Sequence, residues 1–235
     1  MSIAENIARI RAQMNEAAYR CGRDPKEIQL CAATKMNDAA AVREAIAGGV
    51  DCCGENRVQE LVQKEKENAY AGAPVHFIGV LQTNKVKQVV GHVDLIQSVD
   101  RINLLQALEK EAARQGITQD ILLEINIGRE ESKSGFYAEE VHQILENFTS
   151  FPHLRVKGLM AIPPVSCAEG QNLKYFKEIS KLSVDIMRKK YDNVAMECLS
   201  MGMSDDFADA IRAGSTMIRV GTAIFGARNY AKPHL

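Results

Sequence analysis

The sequence offers little to commit the chain to a membrane, a polynucleotide or a disulfide scaffold. No apolar run approaches the roughly 20 residues that cross a bilayer. The opening stretch, MSIAENIARIRAQMNEAAYR, lacks the apolar core of a secretory signal. Twenty-nine basic residues against thirty acidic ones leave a net charge of −1. There is no basic surplus to meet a phosphate backbone, so nucleic acid is not the expected partner. The six cysteines, at 21, 31, 52, 53, 167 and 198, form no C-x-x-C pair, and most lie in apolar, strand-like runs. They read as buried, reduced thiols of a cytoplasmic protein. The five histidines do not pair with one another at ligand spacing, so no metal site is expected. No G-x-G-x-x-G follows the first strand-like run, which removes the dinucleotide-binding form of an open sheet. No linker or low-complexity tract divides the chain, which reads as one domain over residues 1–235.

What is present is a regular alternation. Ile3, Ile7, Ile10, Met14 and Ala17 fall on one stripe of an N-terminal helix, assigned to residues 2–22, that packs on its own domain. Eight β-rich runs follow: 28–34, 50–55, 75–80, 93–99, 120–127, 154–162, 196–201 and 217–221. Between them lie helical stretches such as AAAVREAIAGG, RINLLQALEKEAARQG and YAEEVHQILENF, each closed by a glycine or a polar break. Strands alternating with helices imply a parallel sheet with right-handed crossovers. Eight units in this length fit a single (β/α)8 TIM-type barrel of the α/β class, with an extra N-terminal helix and a short C-terminal tail at 229–235. An open doubly wound sheet is the structural runner-up.

A barrel gathers its chemistry at the C-terminal ends of its strands, with phosphate often bound after strands seven and eight. Strand one ends at Thr34-Lys35, and alternation places Cys31, Ala33 and Lys35 on one face. A partly desolvated lysine at that mouth could attack a carbonyl as the free amine. Strand seven ends at Ser200-Met201-Gly202 and strand eight at Gly221-Thr222. Glycine there admits an anion close to the backbone, and a following helix N-terminus favours phosphate. Ser204-Asp205-Asp206 reads as the N-cap stretch that opens the helix DDFADAIRAG. Arg219 interrupts an apolar strand and needs a partner, either an inward carboxylate such as Glu124 or a ligand. An amine-ready lysine, a phosphate cradle and an arginine between them suggest pyridoxal phosphate. On pattern alone, a sugar-phosphate aldolase with a Schiff-base lysine stands beside it.

The runs ATK, GENRVQE, VHFIGVLQTNKVK, IQSVD, NIGREESKSGF, VKGLMAI, LSMGMSDDFADAI and GSTMIRVGTAIFG, in that order, resemble the pyridoxal phosphate homeostasis protein family from about residue 3 to residue 228. The resemblance implies one barrel like the N-terminal domain of bacterial alanine racemase. It implies that Lys35 forms the internal aldimine with pyridoxal 5'-phosphate. It further implies that Ser200, Gly221 and Thr222 cradle the phosphate, and that Arg219 faces the pyridine nitrogen and keeps it unprotonated. Asn56 lies near the cofactor by the same transfer, and Met160 packs on the ring. Arg57, Val80 and Met36 depart from the residues usual in the family at those positions. The function so implied is a cytoplasmic, monomeric carrier that buffers or delivers pyridoxal phosphate, with apo-enzymes as possible recipients and without substantial catalysis of its own. The alternative is a small amino-acid racemase. Racemisation needs a base on each face of the substrate, and the chain ends just after its eighth unit, so the carrier is the expected reading.

Overall fold

The computed structural model describes residues 1–165 and 170–226. The expected tail at 229–235 and Cys167 lie outside the described residues. Eight parallel strands close into a barrel in sequence order: β1 (Gln29–Ala33), β2 (Cys52–Glu55), β3 (Val75–Phe77), β4 (Leu95–Val99), β5 (Gln119–Ile125), β6 (Leu154–Ala161), β7 (Val194–Met201) and β8 (Met217–Val220). β8 pairs with β1, with Cys31 beside Arg219, and this seam completes the ring. Around it run α1 (Ile3–Arg20), α2 (Ala39–Ala47), α3 (Val58–Lys66), α4 (Ile102–Gln115), α5 (Ala138–Glu146), α6 (Leu173–Lys189), α7 (Phe207–Arg212) and α8 (Thr222–Phe225). The TIM-type reading therefore holds. The NKVK run lies in a 3-10 segment over Thr83–Gln88.

Period-two alternation sorts the strand residues onto two faces. Ile96, Ile121, Leu123, Leu159, Leu199 and Met201 face outward into the layer between sheet and helices. Cys31, Cys52 and Met217, and separately Leu95, Leu122 and Met160, form small clusters on the inward face. The barrel interior is thus a packed core rather than a channel, as expected for eight strands.

The N-terminal helix opens with a capping box, Ser2 and Glu5 each bonding the other's backbone N–H. Its buried stripe of Ile7, Ile10, Met14 and Ala18 packs on Phe207, Ile211, Ile218, Val220 and Ile224. Asn6 adds a bond from Nδ2 to the Ile224 carbonyl at 2.9 Å. The helix therefore buttresses the β8 seam and α8, the elements that carry Arg219, Gly221 and Thr222.

β6 contains a bulge where Gly158 takes φ +153° beside β7. A Cβ there would stand 1.8 Å from the Cys198 carbonyl oxygen, a backbone atom that cannot step aside. Gly158→Ala is expected to destabilise the barrel by about 3 kcal/mol or more through overpacking and backbone strain. Thermal unfolding should show a fall in Tm of roughly 6–12 °C for a chain of this size; an unchanged Tm would contradict this packing.

Candidate cofactor site

β1 ends at Ala33, and the chain turns at once through Lys35 and Met36 into α2, which Asp38 caps by accepting from the Ala41 N–H at 2.9 Å. Lys35 is half-buried at this turn. β2 runs into Asn56, and β8 into Gly221-Thr222 at the head of α8. These strand ends surround a cavity of about 1560 Å³ lined by Lys35, Asn56, Arg219, Gly221 and Thr222, with Ala33, Ile78 and Ile162 as apolar walls. It exceeds the usual small-molecule pocket of roughly 300–1,000 Å³ because it continues along α3 to Glu60, Gln63 and Lys64.

Five of the six residues singled out from the sequence converge on this cavity. Ser200 stands apart, fully buried beneath it. Its Oγ donates to Gln97 Oε1 at 2.6 Å and accepts from Arg219 NH1 at 2.6 Å. The serine on the cavity wall is Ser204. Within the expected cap stretch Ser204-Asp205-Asp206, the cap position of α7 belongs to Asp206, whose carboxylate accepts from the Met203 N–H at 2.7 Å. Met160 is likewise buried in the lumen with Leu95 and Leu122, and Ile162, two residues on, reaches the cavity instead. Lys85, Lys87 and Lys133 do not line it; Lys35 and Lys64 do.

Arg219 has no ion pair with Glu124. Its NH1 donates to the Ser200 carbonyl at 2.7 Å, and NH2 to the Ala161 carbonyl at 3.1 Å. Burial lowers its pKa, against the raising influence of Cys31, Glu124, Asp206 and Cys198. A guanidinium nevertheless stays protonated in a protein and can only donate. That fixes the direction of every bond below it. Ser200 must accept from Arg219 and donate to Gln97 Oε1. The Gln97 amide nitrogen then donates to His76 Nδ1 at 2.9 Å and to Met217 Sδ at 3.2 Å. The chain crosses the barrel interior from the cavity floor to β3.

At its foot lie Cys31, Cys52 and His76, whose ligand atoms sit within 4.8 Å of one another. Sequence spacing could not show this group, because its members come from three strands joined only by register. Its ring nitrogen nearest the thiols, Nδ1 at 3.5 Å from Cys52 Sγ, already accepts from Gln97. The Cys31 thiol is pulled below its ordinary pKa, first by the hydrogen bond from Cys52 and further by His76 and Arg219.

Two observations fit a cofactor with a phosphate and a ring. Asn56 lines the cavity just after β2, and its Oδ1 is buried with no hydrogen-bond partner, a costly state unless a ligand donor meets it. At Gly221 a side chain would press on Ala33 at 3.3 Å and occupy the space over the first turn of α8, whose opening N–H groups have no partner within the helix. The lining is of mixed charge; Lys35 and Arg219 bring cationic groups to it at the strand ends, with acidic Asp38, Glu60 and Asp205 on the same wall. The departures from the family pattern sit at the rim. Arg57 precedes α3 and pairs loosely with Glu60 at 3.8 Å, and Val80 is 63% exposed.

Glu124, on the inward face of β5, is 8% exposed, and burial raises its pKa from 4.5 to about 7, helped by Asp100 and opposed by Arg219. A carboxyl raised in this way contributes stability below its ordinary pKa and loses it as pH climbs through the folded value. Glu124→Gln removes that loss. Urea unfolding should therefore show the variant gaining on the parent at about pH 8 relative to about pH 5; an equal difference at both would contradict a buried, raised carboxyl.

The fold and cavity have close counterparts. Residues 2–229 match the family described as alanine racemase, N-terminal domain. A pyridoxal phosphate homeostasis protein of Escherichia coli is 41% identical over 98% of both chains. One of Pseudomonas aeruginosa is 40% identical over 99% of this chain and 98% of its own. The structure of PipY from Synechococcus elongatus with PLP bound superposes with a TM-score of 0.83 at 31% identity, covering 96% of this chain and all of that one. The chain belongs to the pyridoxal phosphate homeostasis protein family, built on the alanine racemase N-terminal domain.

Proposed function

We propose that this protein binds pyridoxal 5'-phosphate at the barrel mouth, and buffers or delivers it rather than consuming it in catalysis. The observation that carries this reading is Arg219. A permanent cation is locked by three hydrogen bonds at the floor of the cavity that Lys35, Asn56, Gly221 and Thr222 line. Bound pyridoxal phosphate supplies an aldehyde that condenses with a primary amine and a ring that can act as an electron sink. Lys35 provides the amine. Gly221, Thr222 and the opening turn of α8 hold the phosphate, with Ser204 completing the cradle from the β7 side. Ser200 supports Arg219 from below. A guanidinium can donate to the pyridine nitrogen but cannot hand over its proton, so the ring stays a weak sink.

A small amino-acid racemase is the second reading, because the alanine racemase domain is the parent fold. Racemisation needs acid–base groups on both faces of a substrate. Of the acid–base side chains on the described lining, Glu60, Lys64 and Asp38 are taken up by the Met36 N–H, by the Thr34 carbonyl and Glu55, and by the cap of α2. The carrier reading is favoured. Its setting is the cytoplasm, which the buried free thiols suit, and among the described residues no helix is long and apolar enough to cross a membrane. It works as a monomer, with apo-enzymes that need the cofactor as recipients.

Mixing the protein with pyridoxal phosphate, reducing with borohydride and mapping peptides by mass should place the adduct on Lys35. Lys35→Ala should abolish it. A full adduct on Lys64 in that variant would contradict the assignment. Robust, cofactor-dependent racemisation of a free amino acid by the loaded parent would contradict the carrier reading.

A further inference from the structure

Lys35 projects from a turn whose backbone is gripped on both sides from α3. On its N-terminal side, Lys64 Nζ donates to the Thr34 carbonyl at 2.7 Å. On its C-terminal side, Glu60 Oε2 accepts from the Met36 N–H at 2.7 Å. The two gripping residues stand four apart on one helix and approach each other to 3.7 Å. Between them lies Glu55, fully buried on the outer face of β2. Its Oε1 accepts from Lys64 at 2.6 Å, from Thr34 Oγ1 at 2.5 Å and from Tyr70 OH at 3.2 Å. Asn37 closes the turn with a bond from Nδ2 to the Lys35 carbonyl at 2.9 Å.

The clamp holds the backbone in a conformation it would not choose alone. Met36 has φ +62°, the left-handed region, which a residue with an unbranched apolar side chain seldom occupies. A charged acceptor on its N–H is what holds it there, since hydrogen bonds to ionised groups are the stronger ones. The network also has a cost. Glu55 Oε2 is buried without a partner, and burial raises the pKa of the Glu55 carboxyl against the pull of Lys64. A buried ion pair is weak evidence of stabilisation. Orienting the turn is a role that fits a network of this kind, and the cavity extends to Glu60 and Lys64 themselves.

We propose that Glu60 and Lys64 are positioning residues for Lys35. By fixing the peptides on either side of it they set the direction of its side chain into the cavity, and so how long the cofactor is retained. This rests on the reading of Lys35 as the attachment point. Loosening the Glu60–Met36 bond frees the 35–36 peptide to rotate, and Lys35 loses its fixed approach. The grip on this one turn thereby sets the balance between storage and release.

Glu60→Ala removes the acceptor, whereas Glu60→Gln keeps an oxygen for the Met36 N–H. The protein is loaded with pyridoxal phosphate and chased with its deuterated form. Borohydride trapping and peptide mass then give the exchange rate at Lys35. Glu60→Ala should exchange at least roughly tenfold faster than the parent, the scale of one charge-assisted hydrogen bond, while Glu60→Gln, which keeps an acceptor oxygen but not the charge, falls between the two. Amide hydrogen exchange over residues 34–37 of the cofactor-free protein should quicken in the same order. Lys64→Met alone strands Glu55 and is prone to misfold, so it is paired with Glu55→Gln; that double variant should fold and also exchange faster. Parent-like exchange and amide protection in folded Glu60→Ala would overturn the proposal. Absence of any Lys35 adduct in the parent would overturn the cofactor reading instead, and the amide measurement would still decide whether the clamp orders the turn.

Discussion

The barrel is organised around a permanent positive charge held almost out of water. Arg219 is 5% exposed and has no carboxylate at ion-pair distance among the described residues. An uncompensated buried guanidinium is among the costliest things a core can contain. The fold meets that cost with carbonyls at the ends of β6 and β7 and with the Ser200 hydroxyl. Because the guanidinium can only donate, its charge dictates the polarity of Ser200, Gln97 and His76 in turn. It also draws down the Cys31 thiol and offsets the raising of Glu124 by burial. One residue on β8 thus sets the hydrogen-bond polarity from the cavity floor to β3.

The outer shell serves the same mouth. The N-terminal helix packs across β8 and α8 and so fixes the Gly221-Thr222 opening. On the opposite side α3 holds the turn after β1, where Lys35 sits. In the proposed function the two sides would act on different parts of the cofactor, the phosphate and the attachment point. A protein that stores a reactive aldehyde needs both: a firm anion site for affinity, and an attachment that forms without going further. The proposed pairing of Arg219 with the ring nitrogen would suit the second need, because it would limit the ring as an electron sink.

Much of this was legible in the sequence where the signal is local. The eight β-rich runs carry apolar periodicity and turn residues, and the ends of strands one, two and eight place Lys35, Asn56, Gly221 and Thr222 at one rim by the barrel rule alone. What was not legible depends on register and on strand irregularity. Ser200 and Ser204 both follow the apolar part of strand seven, and only the positive-φ turn at Gly202 shows which of them reaches the cavity. Met160 pairs in register with Ser200 inside the lumen, and Ile162, on the same face but two residues nearer the mouth, reaches the ligand space. Gln97 and His76 lie in separate apolar strand runs, and their link exists only across the barrel. Lys64 did carry a sequence signal: it lies three residues after Leu61 on the buried stripe of α3, where a cation requires a partner.

The central claim is that Arg219 holds bound pyridoxal phosphate with its ring nitrogen unprotonated. Nitrogen-15 NMR of the protein loaded with cofactor labelled at the pyridine nitrogen reads that state directly. The account predicts a shift characteristic of a neutral, hydrogen-bonded pyridine that does not move with pH across the range where the protein stays folded. A pyridinium shift in the loaded parent protein would contradict it.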